Sequence, residues 1–173
     1  LRLTEAAHAA VRGVPQSEEH LCNRALAVER EGKVTSPYEI TLTEMLLDLG
    51  IGVIPQKAIG KYNVDIAIAE TCIAVEIFGS HHTGGKHEVK FRPRIEYLIN
   101  AGWLPIVVWV YRKRIDFSVA EYIVSIHKRL RRKEPMGRKE HVLRGDGYVA
   151  SASQVNPNNG SIKMGFNPGN PNK

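Results

Sequence analysis

The chain has 173 residues, 43% of them hydrophobic, which suits one domain with a real core and excludes a disordered chain. A formal net charge of +6 favours a polyanionic partner, nucleic acid or anionic lipid. The two cysteines, Cys22 and Cys72, support neither a zinc ribbon nor a disulfide framework, and the chain lacks any run of about 18 apolar residues, so no membrane association is expected.

The chain opens on Leu1 rather than methionine, as a piece of a longer protein would, and its start lacks a signal-peptide pattern. A cytoplasmic protein of bacterial or phage type, not a secreted one, is expected. Residues 4–31 read as helical in two parts. The first, 4–12, is closed by Gly13 and Pro15. The second, "SEEHLCNRALAVERE", opens on Ser17 as N-cap with two acids in its first turn, and Leu21, Ala25 and Val28 share one face. In "SPYEITLTEMLLDLG", Ser36 suits an N-cap, Pro37 the first helical position and Gly50 the stop. Leu42, Met45, Leu46 and Leu49 form the apolar stripe of that helix.

Three strand-like runs follow, at 52–58, 63–69 and 72–78. "RPRIEYLINAG" then predicts a helix with Pro93 near its start, Ile95, Leu98 and Ile99 on one face, and Gly102 at its end. "WLPIVVWVY" is nearly all apolar and reads as a strand buried on both faces. Residues 117–133 form an amphipathic helix with Val119, Ile123, Ile126 and Leu130 inward, ending in a basic run. From Val142 onward Gly, Asn, Ser and Pro dominate. A hairpin around Asn159-Gly160 and a loose tail over 167–173 are expected there. The order α-β-β-β-α-β-α points to an α/β sandwich around a mixed sheet.

The central strands carry the most informative pattern. If "VDIAIAETCIAVEIF" is a hairpin turning between Glu70 and Thr71, Asp65 and Glu76 face each other on one side of the sheet. Like charges so placed repel, and a low-dielectric site raises one pKa; a divalent cation removes the repulsion. A solvent-facing pair at frayed strand ends is the alternative. Glu39 has two readings as well. Ser36-x-x-Glu39 fits a capping box, yet Glu39 shares a face with Leu42, Leu46 and Leu49 and leans toward the sheet. His81, His82 and His87 lie among Gly79, Gly84 and Gly85, where a histidine can serve as general acid or base or be a solvated loop residue.

"TSPYEITLTEMLLDLG", "IPQKAIGKYNVDIAIA", "IAVEIFGSHH" and "RIEYLINAGWLPIVVWV", in that order over residues 35–111, resemble the Vsr-like branch of the PD-(D/E)XK nucleases, which includes short-patch mismatch endonucleases and phage homing endonucleases with an E-D-x-H-D signature. The resemblance implies a restriction-endonuclease-like core, a mixed sheet flanked by helices, and Mg²⁺-dependent hydrolysis of DNA phosphodiesters with Mn²⁺ able to substitute. By position, Asp65 matches the metal-binding acid of "Y-x-V-D", Glu76 the second strand acid, Glu39 the acid of "SPxE", and His82 the histidine after the Gly-Ser turn. Asp65 with Glu76 then holds the metal, and His82 or Glu39 handles the proton of the attacking water. His81 and Gln56 sit in matching motifs.

Two departures stand out. The superfamily lysine two residues after the second acid is Phe78 here, where Vsr-like relatives often carry His or Asp. Mismatch-repair members bear a cysteine-rich structural zinc site that two cysteines cannot reproduce, which disfavours that role. "RGVPQSEEHLCNRA" resembles a short DNA-binding helix motif found beside homing nucleases; a capped surface helix is its alternative.

Lys128, Arg129, Arg131, Arg132, Lys133, Arg138 and Lys139 cluster with only Glu134 and Glu140 against them. They suit phosphate contacts to double-stranded DNA, or a solvated helix end whose cations complement the helix dipole. The expected organisation is an N-terminal helical DNA-binding-like segment at 1–34, a Vsr-like endonuclease core at 35–134, and a basic linker with a C-terminal hairpin or tail at 135–173. The function that follows is a site-specific homing or phage-type DNA endonuclease, for which a homodimer on DNA is one arrangement. The alternatives are a non-catalytic DNA-binding module on a degenerate nuclease fold, and a restriction or junction-type nuclease.

Overall fold

The computed structural model describes residues 15–32, 36–79, 88–158 and 160–162. The helix expected at 4–12, the histidines 81, 82 and 87, and the tail at 167–173 lie outside the described residues. The first described helix, α1 (Glu18–Glu31), begins where Ser17 Oγ accepts from the His20 N–H at 3.2 Å and ends at Gly32, whose φ of 61° is left-handed. Helix α2 (Pro37–Asp48) is capped by Ser36 Oγ, which accepts from the Glu39 N–H at 3.2 Å, with Pro37 at its first position. Leu42 and Leu46 are fully buried, and Met45 packs beside them. Leu49, expected in the same stripe, is exposed, because the helix ends at Asp48 and Leu49 is already its C-cap.

Strands β1 (Ile54–Ile59), β2 (Tyr62–Ile68) and β3 (Ile73–Phe78) form an antiparallel meander. The connection from β2 to β3 is not the two-residue turn expected between Glu70 and Thr71. A 3₁₀ turn (Ala69–Thr71) and Cys72, left-handed at φ 52°, make it four residues long. The register survives because the extra residues are added symmetrically: Ile66 pairs with Val75, Ala67 with Ala74 and Ile68 with Ile73.

Helix α3 (Glu88–Asn100) starts five residues before Pro93, so that proline is inside the helix rather than near its start. Strand β4 (Leu104–Trp109) pairs in parallel with β3, and its side chains are buried on both faces. Helix α4 (Phe117–Arg131) buries Val119, Ile123 and Ile126. A fifth strand, β5 (His141–Arg144), then pairs in parallel with β4. The result is an α/β fold with a five-stranded mixed open sheet in the order β1-β2-β3-β4-β5.

Two expected segments take part in this body. Over its helix, the N-terminal segment lies against the β1–β2 hairpin. Asn63 Nδ2 donates to Ala25 O at 2.8 Å, and Glu29 accepts from Lys57 Nζ at 2.8 Å and from the Ala58 N–H at 2.9 Å. The segment from 135 onward, expected as a linker with a hairpin or tail, also supplies a strand, β5, ahead of the expected hairpin position. It continues into a return stretch in which Val149 bridges to Leu143 and Val155 to Ile162. Trp109 Nε1 donates to Gly160 O at 2.9 Å, which ties that stretch to the core.

The two faces of the sheet differ. On one, α2 and α4 cover Ile66, Ile68, Ile73, Val75, Ile106, Val108 and Leu143. On the other, Phe91, Ile95 and Leu98 of α3 cover Ala67, Ala74, Val107, Trp109 and Val142. No helix among the described residues is long and apolar enough to cross a membrane.

The place of β5 can be tested through Leu143, which is fully buried in the α2–α4 face. Leu143→Ala is expected to cost about 2–5 kcal/mol of unfolding free energy, as other buried leucines do. A urea titration of wild type and variant measures it, and a detached C-terminal segment would give no change.

Candidate active site

The site begins where β2 and β3 part. Their ladder is formed over 66–68 and 73–75 and goes no further. One residue beyond, the Asp65 carboxylate stands in for the strand: its Oδ2 accepts from the Ile77 N–H at 2.7 Å. In this register Asp65 stands opposite Glu76. Alternation puts Glu76 on the side of Ala74, toward α3, but along β2 it is broken at Asp65, since Val64 packs with Ala67 and Leu98 while Ile66 packs in the other cluster. The two acids are near enough for each charge to be felt by the other site, while the ladder pair expected between them is not formed.

Glu39 and Gln56 approach from the other neighbouring elements. Glu39, in the first turn of α2, is 4% exposed and belongs to the same buried stripe as Leu42 and Leu46. Its Oε2 accepts from Gln56 Nε2 at 3.0 Å, so its side chain serves the site and not only the helix cap. Gln56 is buried and left-handed at φ 48°, and it interrupts the β1–β2 pairing between Pro55 and Lys57. A buried non-glycine residue with that backbone is strained, and such strain concentrates at functional sites. The carbonyl it displaces is recovered by Asn63, whose Nδ2 donates to Gln56 O at 2.8 Å. Gln56 also hydrogen-bonds Asp65, so its amide stands between two of the acids.

Glu76 is 2% exposed and is held by α3. Arg94 Nε donates to Glu76 Oε1 and Arg94 Nη2 to Oε2, both at 2.9 Å, a two-point fork. Arg94 also donates to the Asn63 carbonyl and lies 5.3 Å from the centre of the Tyr62 ring. Burial pushes the Glu76 carboxyl up to about 8; Arg94 opposes this, and Asp65 and Glu39 add to it. Burial likewise pushes Asp65 up to about 6, and the Glu39 charge adds to the rise. The Ile77 N–H, Arg94 and Gln56 pull the other way.

Three carboxylates from α2, β2 and β3 thus converge closely enough to raise the pKa of two of them. They do not form a ready-made ligand cage. Among the described residues, no group of three or more His, Cys, Asp or Glu side chains is placed to hold a metal ion. A Mg²⁺ ion asks for less, one or two carboxylates with water and substrate phosphate, and mutually repelling carboxylates are the donors it suits. Asp65 and Glu39 are the two acids of this set that Arg94 does not hold. Glu76, expected as the second ligand, has both oxygens engaged by Arg94.

Phe78, at the expected lysine position, has a packing role. Its ring meets Phe91 edge-on and stacks on Trp109, both at 5.3 Å between centres. The cation beside Glu76 comes from α3 instead. Arg94 was legible in principle: it lies three residues after Phe91 and four before Leu98, a charged residue on a buried helical stripe. His81 and His82 lie outside the described residues, in the segment that follows β3.

The basic run is not brought to this site. Arg129 and Arg132 both pair with Glu134, Arg131 pairs with Glu70, and Arg138 donates to Ala150 O at 2.7 Å. Lys128, Lys133 and Lys139 form no ion pair among the described residues. The Arg131–Glu70 pair puts the end of α4 beside the β2–β3 turn, and α4 itself covers the opposite face from α3.

The raised pKa values predict how stability depends on pH. Asp65 and Glu76 titrate higher in the folded chain than an unfolded carboxyl, at roughly 4, so their contribution is full at low pH. It is lost as pH rises through about 6 and then about 8. His127 and His141, lowered by burial, add stability as pH rises to about 6.5, the ordinary histidine value, and mask the lower part. Between pH 7 and 9, with no divalent cation, the urea midpoint is therefore expected to fall. Glu76→Gln is expected to flatten the fall; a variant curve parallel to wild type would show that Glu76 is not its source.

No family model matches the chain, and neither does any curated protein or solved structure, so the function of this site has to be argued from its geometry.

Proposed function

We propose that the chain is a Mg²⁺-dependent DNA endonuclease with a PD-(D/E)XK-like core, of the homing or phage-type, acting on double-stranded DNA. One observation carries this reading: three carboxylates on three separate elements converge at the parting of two core strands. The same site holds a strained glutamine and a half-buried arginine. Structural ion pairs rarely gather net negative charge in a dry place, because each added acid raises the cost of the others. A site built to receive cation and phosphate accepts that cost.

In this reading Asp65, with Glu39 as its neighbour, holds Mg²⁺. The ion supplies charge stabilisation at the phosphate and lowers the pKa of a bound water. Gln56 keeps the Glu39 and Asp65 carboxylates apart and oriented. Arg94 fixes Glu76 and supplies the positive charge nearest the acids. Glu39, or His82 with His81 beside it, receives the proton of the attacking water. The engagement of both Glu76 oxygens by Arg94 favours a second reading, a DNA-binding module without catalysis.

Incubating supercoiled plasmid and genomic DNA with the chain separates the two. Cleavage is expected with Mg²⁺ or Mn²⁺ and lost in EDTA. Asp65→Ala should lower it more than the 10–100-fold typical of residues that merely support a metal ligand. Mg²⁺ should also raise the urea midpoint of wild type at pH 8 but not that of Asp65→Asn. Metal-dependent cutting that survives Asp65→Ala would sink the site assignment. DNA binding with no cutting in either metal, on DNA that includes the cognate sequence, would favour the second reading.

A further inference from the structure

Beyond β4 the chain makes a two-residue hairpin turn, Tyr111-Arg112-Lys113-Arg114. Tyr111 and Arg114 pair across it through both backbone bonds, at 3.2 and 3.0 Å. Arg112 and Lys113 are both left-handed, at φ 49° and 60°. A turn of this kind favours Asn-Gly, and two long cationic side chains meet steric opposition there. The turn is nevertheless clamped. Gly145 donates its N–H to Trp109 O and accepts from the Asp116 N–H, and a Cβ on Gly145 would lie 2.5 Å from Arg114 O. Arg144, paired with Asp146 at 2.7 Å, lies 4.4 Å from the Tyr111 ring centre, and Arg112 lies 5.1 Å from it. Arg112 and Lys113 are exposed and form no ion pair among the described residues.

The position of the turn gives it a use. The carboxylate site is closed toward the β2–β3 turn by the paired strands 66–68 and 73–75, and it opens the other way, toward the end of β3. The Val110 N–H donates to Phe78 O at 2.8 Å, so the chain leads into the basic turn beside that open end. Glu76 stands level with Val107, five residues before Arg112, a reach of at most about 17 Å and so about five phosphate steps along a duplex. At the end of α4, Arg131 pairs with Glu70 at the closed end, while Arg138 and Lys139 line a pocket with Arg92 and Glu96 of α3.

We infer that the Arg112–Lys113 turn, rather than the basic run at the end of α4, is the surface that holds the nucleic-acid backbone next to the carboxylate site. This rests on the nuclease reading above. The phosphates would meet a rigid pair of cations, which give affinity and registration without reading sequence.

The test is binding of a fluorescent 25-base-pair duplex by the full chain, by anisotropy in EDTA from 50 to 300 mM salt, so that no cutting occurs. Arg112→Glu with Lys113→Glu should weaken binding at least tenfold and flatten the salt dependence by about 1.8 log units per log unit of salt, about 0.9 for each lost phosphate contact. Lys128→Glu with Lys133→Glu should change affinity less than threefold. Arg112→Asn with Lys113→Gly removes both charges while suiting the turn. It should bind more weakly than wild type, though less weakly than the charge-reversed variant, and unfold at a higher urea concentration than wild type, which rules out misfolding as the cause. Loss of binding in the α4 variant with none in the turn variants would overturn the inference and leave the nuclease reading standing. Wild-type binding that ignores salt would overturn both.

Discussion

Three acids cannot share a half-dry site with a single guanidinium at rest, and much of the local structure follows from how this chain distributes that strain. Asp65 gains the Ile77 N–H, Glu76 the Arg94 fork, and Glu39 the amide of Gln56. Each of these partners is taken from regular structure. The bond to Ile77 ends the β2–β3 ladder, and the position of Gln56 breaks the β1–β2 pairing and leaves a left-handed backbone at a buried position of the edge strand. Asn63 then repairs two consequences at once, capturing the displaced carbonyl of Gln56 and anchoring α1 through Ala25. The opening in the sheet is thus a product of satisfying the acids, and it is also what makes them reachable.

The sheet separates two kinds of interior. The face under α2 and α4 is mostly apolar from Leu42 to Leu143, with buried His127 and His141 hydrogen-bonded to Thr71 and Tyr122. The α3 face carries Glu76, Arg94 and an aromatic cluster of Phe78, Phe91 and Trp109, while Glu39 reaches the site from α2. The apolar part of the α2–α4 face gives the polar network a stiff support. That matters for a site whose groups repel, since any looseness would be taken up by the carboxylates moving apart.

The pairing of the central hairpin was readable because alternation in "VDIAIAETCIAVEIF" admits few registers once both strands are buried, and a symmetric lengthening of the turn leaves those pairs intact. Ser36, Pro37 and Ser17 were readable because capping chemistry is local. What escaped has a common cause. Arg94 acts across 18 positions, the left-handed backbone and partners of Gln56, itself a named candidate, depend on neighbouring elements, and β5 is four residues long among glycine and charge, so its burial comes from β4 and not from its own pattern. Glu39 was half readable: the cap fixed its place, and only the partner on β1 shows where its carboxylate goes. The basic run misled because charge density in sequence says nothing about which side of a sheet a helix covers.

Phe78 has a physical account, and it bears on why the cation beside Glu76 comes from α3. A lysine at that point on β3 would sit in the aromatic cluster with Trp109 and Phe91, where an ammonium would be desolvated. Placing the cation on α3 leaves β3 free to pack, and the cation there is a guanidinium. A guanidinium is planar and permanently charged, and it can hold both oxygens of one carboxylate while donating a further bond to a backbone carbonyl. Arg94 does both, to Glu76 and Asn63. It therefore acts as a strut between α3 and two strands, where a lysine would be a mobile point charge. With Glu76 so held, Asp65 is the most exposed of the three acids, half-buried where Glu39 and Glu76 are buried, and it stands at the parting of the strands.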